Sequence, residues 1–335
     1  MVAEVMSKIH APALSSLIAR ARSAPIQPDC DPLSRALPHE AWLANSFGLS
    51  SSLQAKNSPP LAALLMASYG LVSDDGTWFI LHPANIRVGF DHMLMADTRT
   101  LALSDAESRA LFDAALPFFE NAGVPLLYGD AMTWFVRADD WKDLQTSTPD
   151  VACGRHLAHW LPRGENELSW RKLHTEVQML WHIHPVNAAR QQRGENTINA
   201  LWLWGASGTA ALKTSPPNTS ALRFSGLMNA YAELLAENRP DVDAARILTS
   251  PPNHGLLWLD QLIAPALAGD WHEWLVAYTE LEQDWFAPLL AGLQKKQIDR
   301  ITLHLSNDTK MVSLTSDRIS QRKFWLRKSL ERLQS

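Results

Sequence analysis

Seven side chains able to bind or relay charge stand within eighteen residues: His182, His184, Asn187, Arg190, Arg193, Asn196 and Asn199. The stretch then runs into an apolar segment, Ala200 to Trp204, followed by Gly205-Ala206-Ser207-Gly208. Arginine forks donate paired hydrogen bonds to carboxylate or phosphate, and asparagines add neutral donors. His184, Asn187, Arg190, Arg193 and Asn199, with Gly205 and Gly208 at the rim, are therefore the residues expected to cradle a small phosphorylated or carboxylate ligand. In that arrangement Arg190 is exposed and contributes little to folding. The competing reading is that Asn187 and His184 satisfy loop backbone while both arginines are solvated.

Other chemistries find less support. His182 and His184, with His174, do not have the spacing that puts two metal ligands side by side on a helix, and no metal site is expected. Gly205–Gly208 is neither a Walker loop nor a Gly-x-Gly-x-x-Gly turn, so no cofactor is expected. No serine sits in a Gly-x-Ser-x-Gly elbow. Cys153, beside Gly154, Arg155 and His156, reads more simply as a buried inert thiol than as a nucleophile.

The elements that must position these groups follow from periodicity. Ser104 with Glu107 three residues on is a capping-box pair, opening a helix to Asn121 with Leu111, Ala115, Phe118 and Phe119 on one stripe. A second helix spans about 167–183, with Leu173, Val177, Leu180 and Trp181 on one face. Pro185 ends or bends it and throws the following residues into a loop. Strands are expected at 78–82, 92–96, 125–128, 133–137, 200–204 and 256–259. A helix is expected at 61–69 or a strand in its place. Further helices are expected at 224–237 and 271–294, with a break near Pro288. Strands at 300–305 and 311–314 precede a basic carboxy-terminal helix carrying Arg318, Arg322, Lys323, Arg327, Lys328 and Arg332, with Trp325 and Leu326 turned inward. Hairpins among helices predict an α+β fold with a mixed or antiparallel sheet. Residues 1–60, interrupted by Pro25, Pro28, Pro32 and Pro59-Pro60, read as an arm preceding a single domain at 61–335.

With 335 residues, 46% hydrophobic and 19% charged, the chain has globular composition, and the fourteen tryptophans fall mainly in apolar periods. A net charge of −5 argues against a nucleic-acid partner. No apolar run approaches the ~18 residues that span a bilayer, and Glu4, Lys8 and His10 interrupt any leader-like start. Cys30 and Cys153 form no disulfide framework, so a cytoplasmic location is expected.

Several motifs in order also carry a resemblance: strands within 78–96, the helix 104–121, a hairpin at Gly129, Thr148-Pro149-Asp150 with Gly154-Arg155, His184-Pro185-Val186-Asn187 with Arg190, Asn199, and Leu201-Trp202-Leu203-Trp204-Gly205. From about 75 to 240 the chain resembles the substrate-facing domain of archaeal-type cofactor-independent phosphoglycerate mutases. As a whole it is similar to the bacterial RpfE-type regulatory proteins. The first resemblance implies a mutase substrate-domain-like core and metal-assisted phosphoryl transfer. The second implies a regulatory protein. Departures from the mutase pattern favour the second. Asp75-Gly76 precedes a strand instead of following one, Thr133-Trp134 replaces a Tyr-Arg pair, and Pro149-Asp150 lacks the histidine of Pro-His-Asp. His254, His272 and His304 stand singly. The expectation is a non-catalytic or regulatory protein that retains part of an anion-binding domain. Phosphoryl transfer of phosphomutase or phosphatase type, or a protein-interaction module, are the alternatives.

Overall fold

The structure, a computed structural model, describes residues 9–23, 31–50, 56–89, 93–213, 219–235, 237–323, 325–326 and 330. Cys30, His92, Arg327, Lys328 and Arg332 lie outside the described residues. The chain divides into two compact units, one drawn from 31–217 and 226–234, the other from 1–30, 218–225 and 235–335. This replaces the expected arm followed by one domain.

The amino-terminal helix α1 (Pro12–Arg20) and strand β1 (Arg22–Ser23) belong to the second unit. The first unit contains α2 (Pro38–Ser46), α3 (Ala62–Ser68), β2 (Trp78–Ala84), β3 (Ile86–Val88), β4 (Met93–Met95), α4 (Asp105–Asn121), β5 (Leu126–Asp130), β6 (Thr133–Arg137), α5 (Pro149–Ala152), α6 (Glu167–His182), α7 (Pro185–Gln192) and β7 (Ala200–Ser207). Its four-stranded antiparallel sheet has the order β5-β6-β2-β7. Because side chains alternate across a strand, each face has its own core. Phe79, Leu81, Trp134, Val136, Leu201 and Leu203 pack with Leu111, Ala115 and Phe119 of α4 and Leu173, Val177 and Trp181 of α6. On the other face lie Ile80, His82, Phe135, Trp202 and Trp204, with α3 packed on β2 and β7.

The capping box forms as the spacing requires. The Glu107 N–H donates to Ser104 Oγ at 3.3 Å, and the Ser104 N–H donates to Glu107 Oε2 at 3.1 Å. Most tryptophans are core residues, and two of the buried indoles donate to backbone carbonyls: Trp181 Nε1 to Leu111 O and Trp202 Nε1 to Ser147 O.

The second unit adds β8 (Ser220–Leu222), β9 (Asn238–Arg239), α9 (Ala244–Thr249), β10 (Gly255–Leu257), α10 (Ile263–Ala268), α11 (Trp271–Leu281), α12 (Ala287–Gln294), β11 (Arg300–Ser306) and β12 (Met311–Asp317); α8 (Asn229–Ala232) belongs to the first unit. Its sheets are antiparallel β1-β12-β11 and parallel β10-β8-β9. Leu14, Leu17 and Ile18 of α1 are buried with Tyr278, Leu281, Trp285, Phe286 and Leu314. The expected arm is thus partly core, because its apolar period is short but complete. A π turn over Glu282–Phe286 separates α11 from α12 just before Pro288.

Both units are helices packed on small sheets, so the fold is α+β. The expected helix 224–237 is only a 3-10 turn at Gly226–Met228 followed by α8, since Gly226 takes a positive φ of 55°. Trp325 is 68% exposed, not turned inward. Among the described residues no helix is long and apolar enough to cross a membrane.

Candidate functional site

Residues 185–192 form helix α7, not the loop expected after Pro185. Proline takes the first helical position, where it has no donor to lose, and His184 caps the helix by accepting the Val186 N–H on Nδ1 at 3.3 Å. The helix aims Asn187 and Arg190 inward. Asn187 Nδ2 donates to Trp181 O and Ile198 O, and its Oδ1 accepts the Ile198 N–H, all at 2.8 Å. Its amide thereby stitches the end of α6 to the entry of β7.

Arg190 is sealed from solvent. Its Nε donates to Asn196 O at 2.8 Å, Nη1 to Glu107 Oε2 at 3.0 Å, and Nη2 to Leu101 O. Arg193 is half-exposed and forks onto Glu195 while also reaching Glu107 Oε1 at 2.5 Å. Glu107 is thus shared by two guanidiniums and the α4 cap. Burial opposes its charge, yet Ser104, Arg193 and Arg190 together hold its carboxyl below the usual range. Asn199 pairs with both backbone groups of Ile86, donating from Nδ2 at 2.9 Å and accepting on Oδ1 at 2.8 Å.

The two glycines also have structural duties. Ile80 faces Trp204 and Trp78 faces Ser207, so β7 carries one extra residue there. Gly205 takes φ +74°, the left-handed conformation of a bulge, and its N–H donates to Ser58 Oγ at 2.8 Å. A Cβ on Gly208 would stand 2.9 Å from Gly76 O. His184, Asn187, Arg190 and Arg193 therefore line one helix–loop junction, Asn199 ties β7 to β3, and the glycines serve the far end of β7. They do not converge on one open cleft, and Arg190 offers no free donor group to an anion. The sequence signal was real but described a polar clamp.

Among the described residues no group of three His, Cys, Asp or Glu side chains is placed to hold a metal ion. The two-metal centre implied by the mutase resemblance thus has no fitting donor set there. His174 Nε2 accepts the Leu201 N–H at 3.2 Å, and His304 Nδ1 lies 2.8 Å from Ser313 Oγ. Cys153 is buried, and burial followed by the Asp97 and Asp150 charges pushes its thiol up to about 12, so it is an inert thiol.

The most perturbed ionisable cluster lies elsewhere, around α2 and α5. Arg99 donates to Asp97 Oδ1 at 2.8 Å and forks onto Asp150 at 2.8 and 3.2 Å. Glu40 Oε2 accepts from Leu37 N and Thr148 Oγ1, each at 2.7 Å. Burial and then the Asp150 charge push Glu40 up to about 8, while burial and then Arg99 push His39 down to about 4. Glu40 is thereby biased toward its protonated form next to the Arg99–Asp150 ion pair. A carboxyl pushed up by burial beside a guanidinium–carboxylate pair is the kind of perturbation found at acid–base sites. Thr148-Pro149-Asp150 belonged to the resemblance; Glu40 and Arg99 carried no sequence signal, because their partners are distant in the chain.

No protein-family model matches the chain. It is similar to three archaeal 2,3-bisphosphoglycerate-independent phosphoglycerate mutases. Identity is 23% over 207 residues with that of Methanosarcina mazei, covering 60% of this chain and 49% of the relative. It is 25% over 173 residues with that of Methanosarcina barkeri, covering 50% and 42%, and 22% over 214 residues with that of Methanosarcina acetivorans, covering 63% and 51%. The chain spans about half the length of the curated relatives it matches. Among solved structures, a Pyrococcus horikoshii protein superposes with a TM-score of 0.48 at 14% identity, covering 93% of this chain and 81% of that one. The cofactor-independent phosphoglycerate mutase of Thermoplasma acidophilum gives 0.34 at 14%, covering 93% and 83%. The chain carries a phosphoglycerate mutase-like segment, distantly related in sequence to the archaeal enzymes.

Proposed function

We propose that this chain is a non-catalytic regulatory protein of the RpfE type, in which the mutase-like layer serves as a scaffold for binding a protein partner. The observation that carries the reading is Arg190. The most anion-suited side chain of the motif is fully enclosed, with donors spent on Asn196, Leu101 and Glu107. A buried guanidinium of this kind organises a helix–loop junction and contributes no binding energy to a substrate. The outer face of α6 supports a binding role. Leu168 and Met179 of α6, and Ile183 just past its end, are 70%, 70% and 80% exposed, and exposed apolar groups of this kind are common at protein contact sites.

A second reading, metal-dependent phosphoryl transfer of the phosphoglycerate mutase kind, is favoured by the names of the curated relatives. One experiment separates the two. The full chain, supplied with manganese or zinc, is assayed for interconversion of 3- and 2-phosphoglycerate, with thermal-shift titration of each acid alongside. No turnover above the metal-only background is expected, and no shift that Arg190→Lys alters selectively. Metal-dependent turnover overturns the regulatory reading.

A further inference from the structure

On the α3-facing side of the four-stranded sheet, His82 of β2 and Trp204 of β7 are 4% and 2% exposed. Their rings lie 5.8 Å apart between centroids, tilted by 34°. His82 Nδ1 is 2.5 Å from Met132 O, and since a carbonyl only accepts, Nδ1 carries the hydrogen. Burial pushes the imidazole pKa down, which keeps the ring neutral. Nε2 is then a bare acceptor. Neither His82 Nε2 nor Trp204 Nε1 has a partner among the described residues. One is an acceptor, the other can only donate, and both are enclosed in the same layer.

Orphaned buried donors and acceptors are costly, and native interiors satisfy the large majority of them. Two complementary orphans on adjacent strands call for a guest with one lone pair for the indole and one hydrogen for the imidazole. A fully deprotonated anion lacks the hydrogen, and a metal cation would be repelled by the indole N–H. We propose that a single water molecule is bound within this unit between His82 and Trp204, accepting from the indole N–H and donating to His82 Nε2. Two to four polar partners are the usual complement of a buried water. The site ties β2 to β7 through side chains on the rows next before the bulge.

The test uses the full chain with 15N-labelled tryptophan and histidine. A water-selective nuclear Overhauser experiment should give a cross-peak from water to the Trp204 indole N–H. Trp202 and Trp181, whose indoles donate to Ser147 O and Leu111 O, should give none. Trp204→Phe assigns the resonance. Histidine 15N shifts should report His82 as the neutral Nδ1–H tautomer. A silent Trp204 indole, equal signals at all three indoles, or a His82 Nε2–H tautomer overturns the proposal. If Trp204→Phe does not fold, a crystal structure decides. An ordered water about 2.7–3.2 Å from both nitrogens supports the site, and continuous side-chain packing between them overturns it.

Discussion

Arg190 and Glu107 meet at 3.0 Å across 83 residues of sequence, joining α7 to the first turn of α4 inside the protein. Removing the guanidinium leaves Glu107 to Arg193 and the α4 cap and leaves the Leu101 and Asn196 carbonyls without this donor. Arg190→Ala should therefore cost about 3–5 kcal/mol of stability, the scale for breaking a buried ion pair. Urea denaturation measures it. A change under about 0.5 kcal/mol, typical of exposed surface sites, would mean the side chain is solvated instead.

A second long-range tie holds the amino-terminal helix. Glu282, in the π turn, accepts the Ala13 N–H at 2.6 Å and the Leu14 N–H at 3.1 Å, supplying two of the acceptors that a helix start lacks. Glu282→Ala should cost about 1–3 kcal/mol, the penalty for leaving buried donors unmade. Hydrogen exchange at the Ala13 and Leu14 amides should accelerate, while exchange in β2 and β7 stays as it was. Unchanged protection at both amides would count against the cap.

Stability should pass through a maximum near pH 6.5. His39 and His174 are both pushed down to about 4, chiefly by burial. Between pH 6.5 and 4 the unfolded chain binds protons that these folded histidines refuse, so stability falls as pH falls. Glu40 is pushed up to about 8. Above its unfolded pKa the folded protein holds a proton that the unfolded chain releases, so this group lowers stability as pH rises toward 8. Melting temperature against pH, for wild type and Glu40→Gln, checks the sign. The variant should be flatter between pH 6.5 and 8, and parallel curves would remove Glu40 as the cause.

Cys153 should resist thiol reagents in the folded protein. In a Cys30→Ser background, a disulfide-exchange reagent at pH 8 should label Cys153 only as fast as the protein opens. Adding urea through the unfolding transition should raise the rate sharply. Rapid stoichiometric labelling of native protein would contradict its burial and its raised pKa, about 12.

Elements built on local rules were legible in the sequence. Ser104 and Glu107 announced α4, and α6 follows its apolar stripe to within a residue of the expected span. The strand Trp78–Ala84 and the hairpin Leu126–Asp130 with Thr133–Arg137 also appear where the apolar runs and the Gly129-Asp130 turn placed them. What remained hidden depends on partners far along the chain. Arg190 looks the same in sequence whether it meets phosphate or Glu107, because the deciding residue lies 83 positions away. Glu40 is perturbed by Asp150 and bonded to Thr148, a relation that no local pattern encodes. The burial of α1 was obscured because it is completed by Tyr278 to Leu293 from the other end of the chain.

The bulge at Gly205 has a consequence for how β7 divides its labour. Side chains two apart share a strand face, so Trp204 and Ser207, three apart, should point oppositely. The inserted residue resets the phase, and both now address the α3 side, where Ser207 Oγ accepts the Ala63 N–H at 2.8 Å at the start of α3. β7 is thus two half-strands of opposite parity spliced at a glycine. Deleting one residue from 205–206 would set Ser207 two positions from Trp204, still on the α3 side, and would remove the bulge. An added residue beside the splice that left the bulge in place, and not a deletion, would turn Ser207 away from α3.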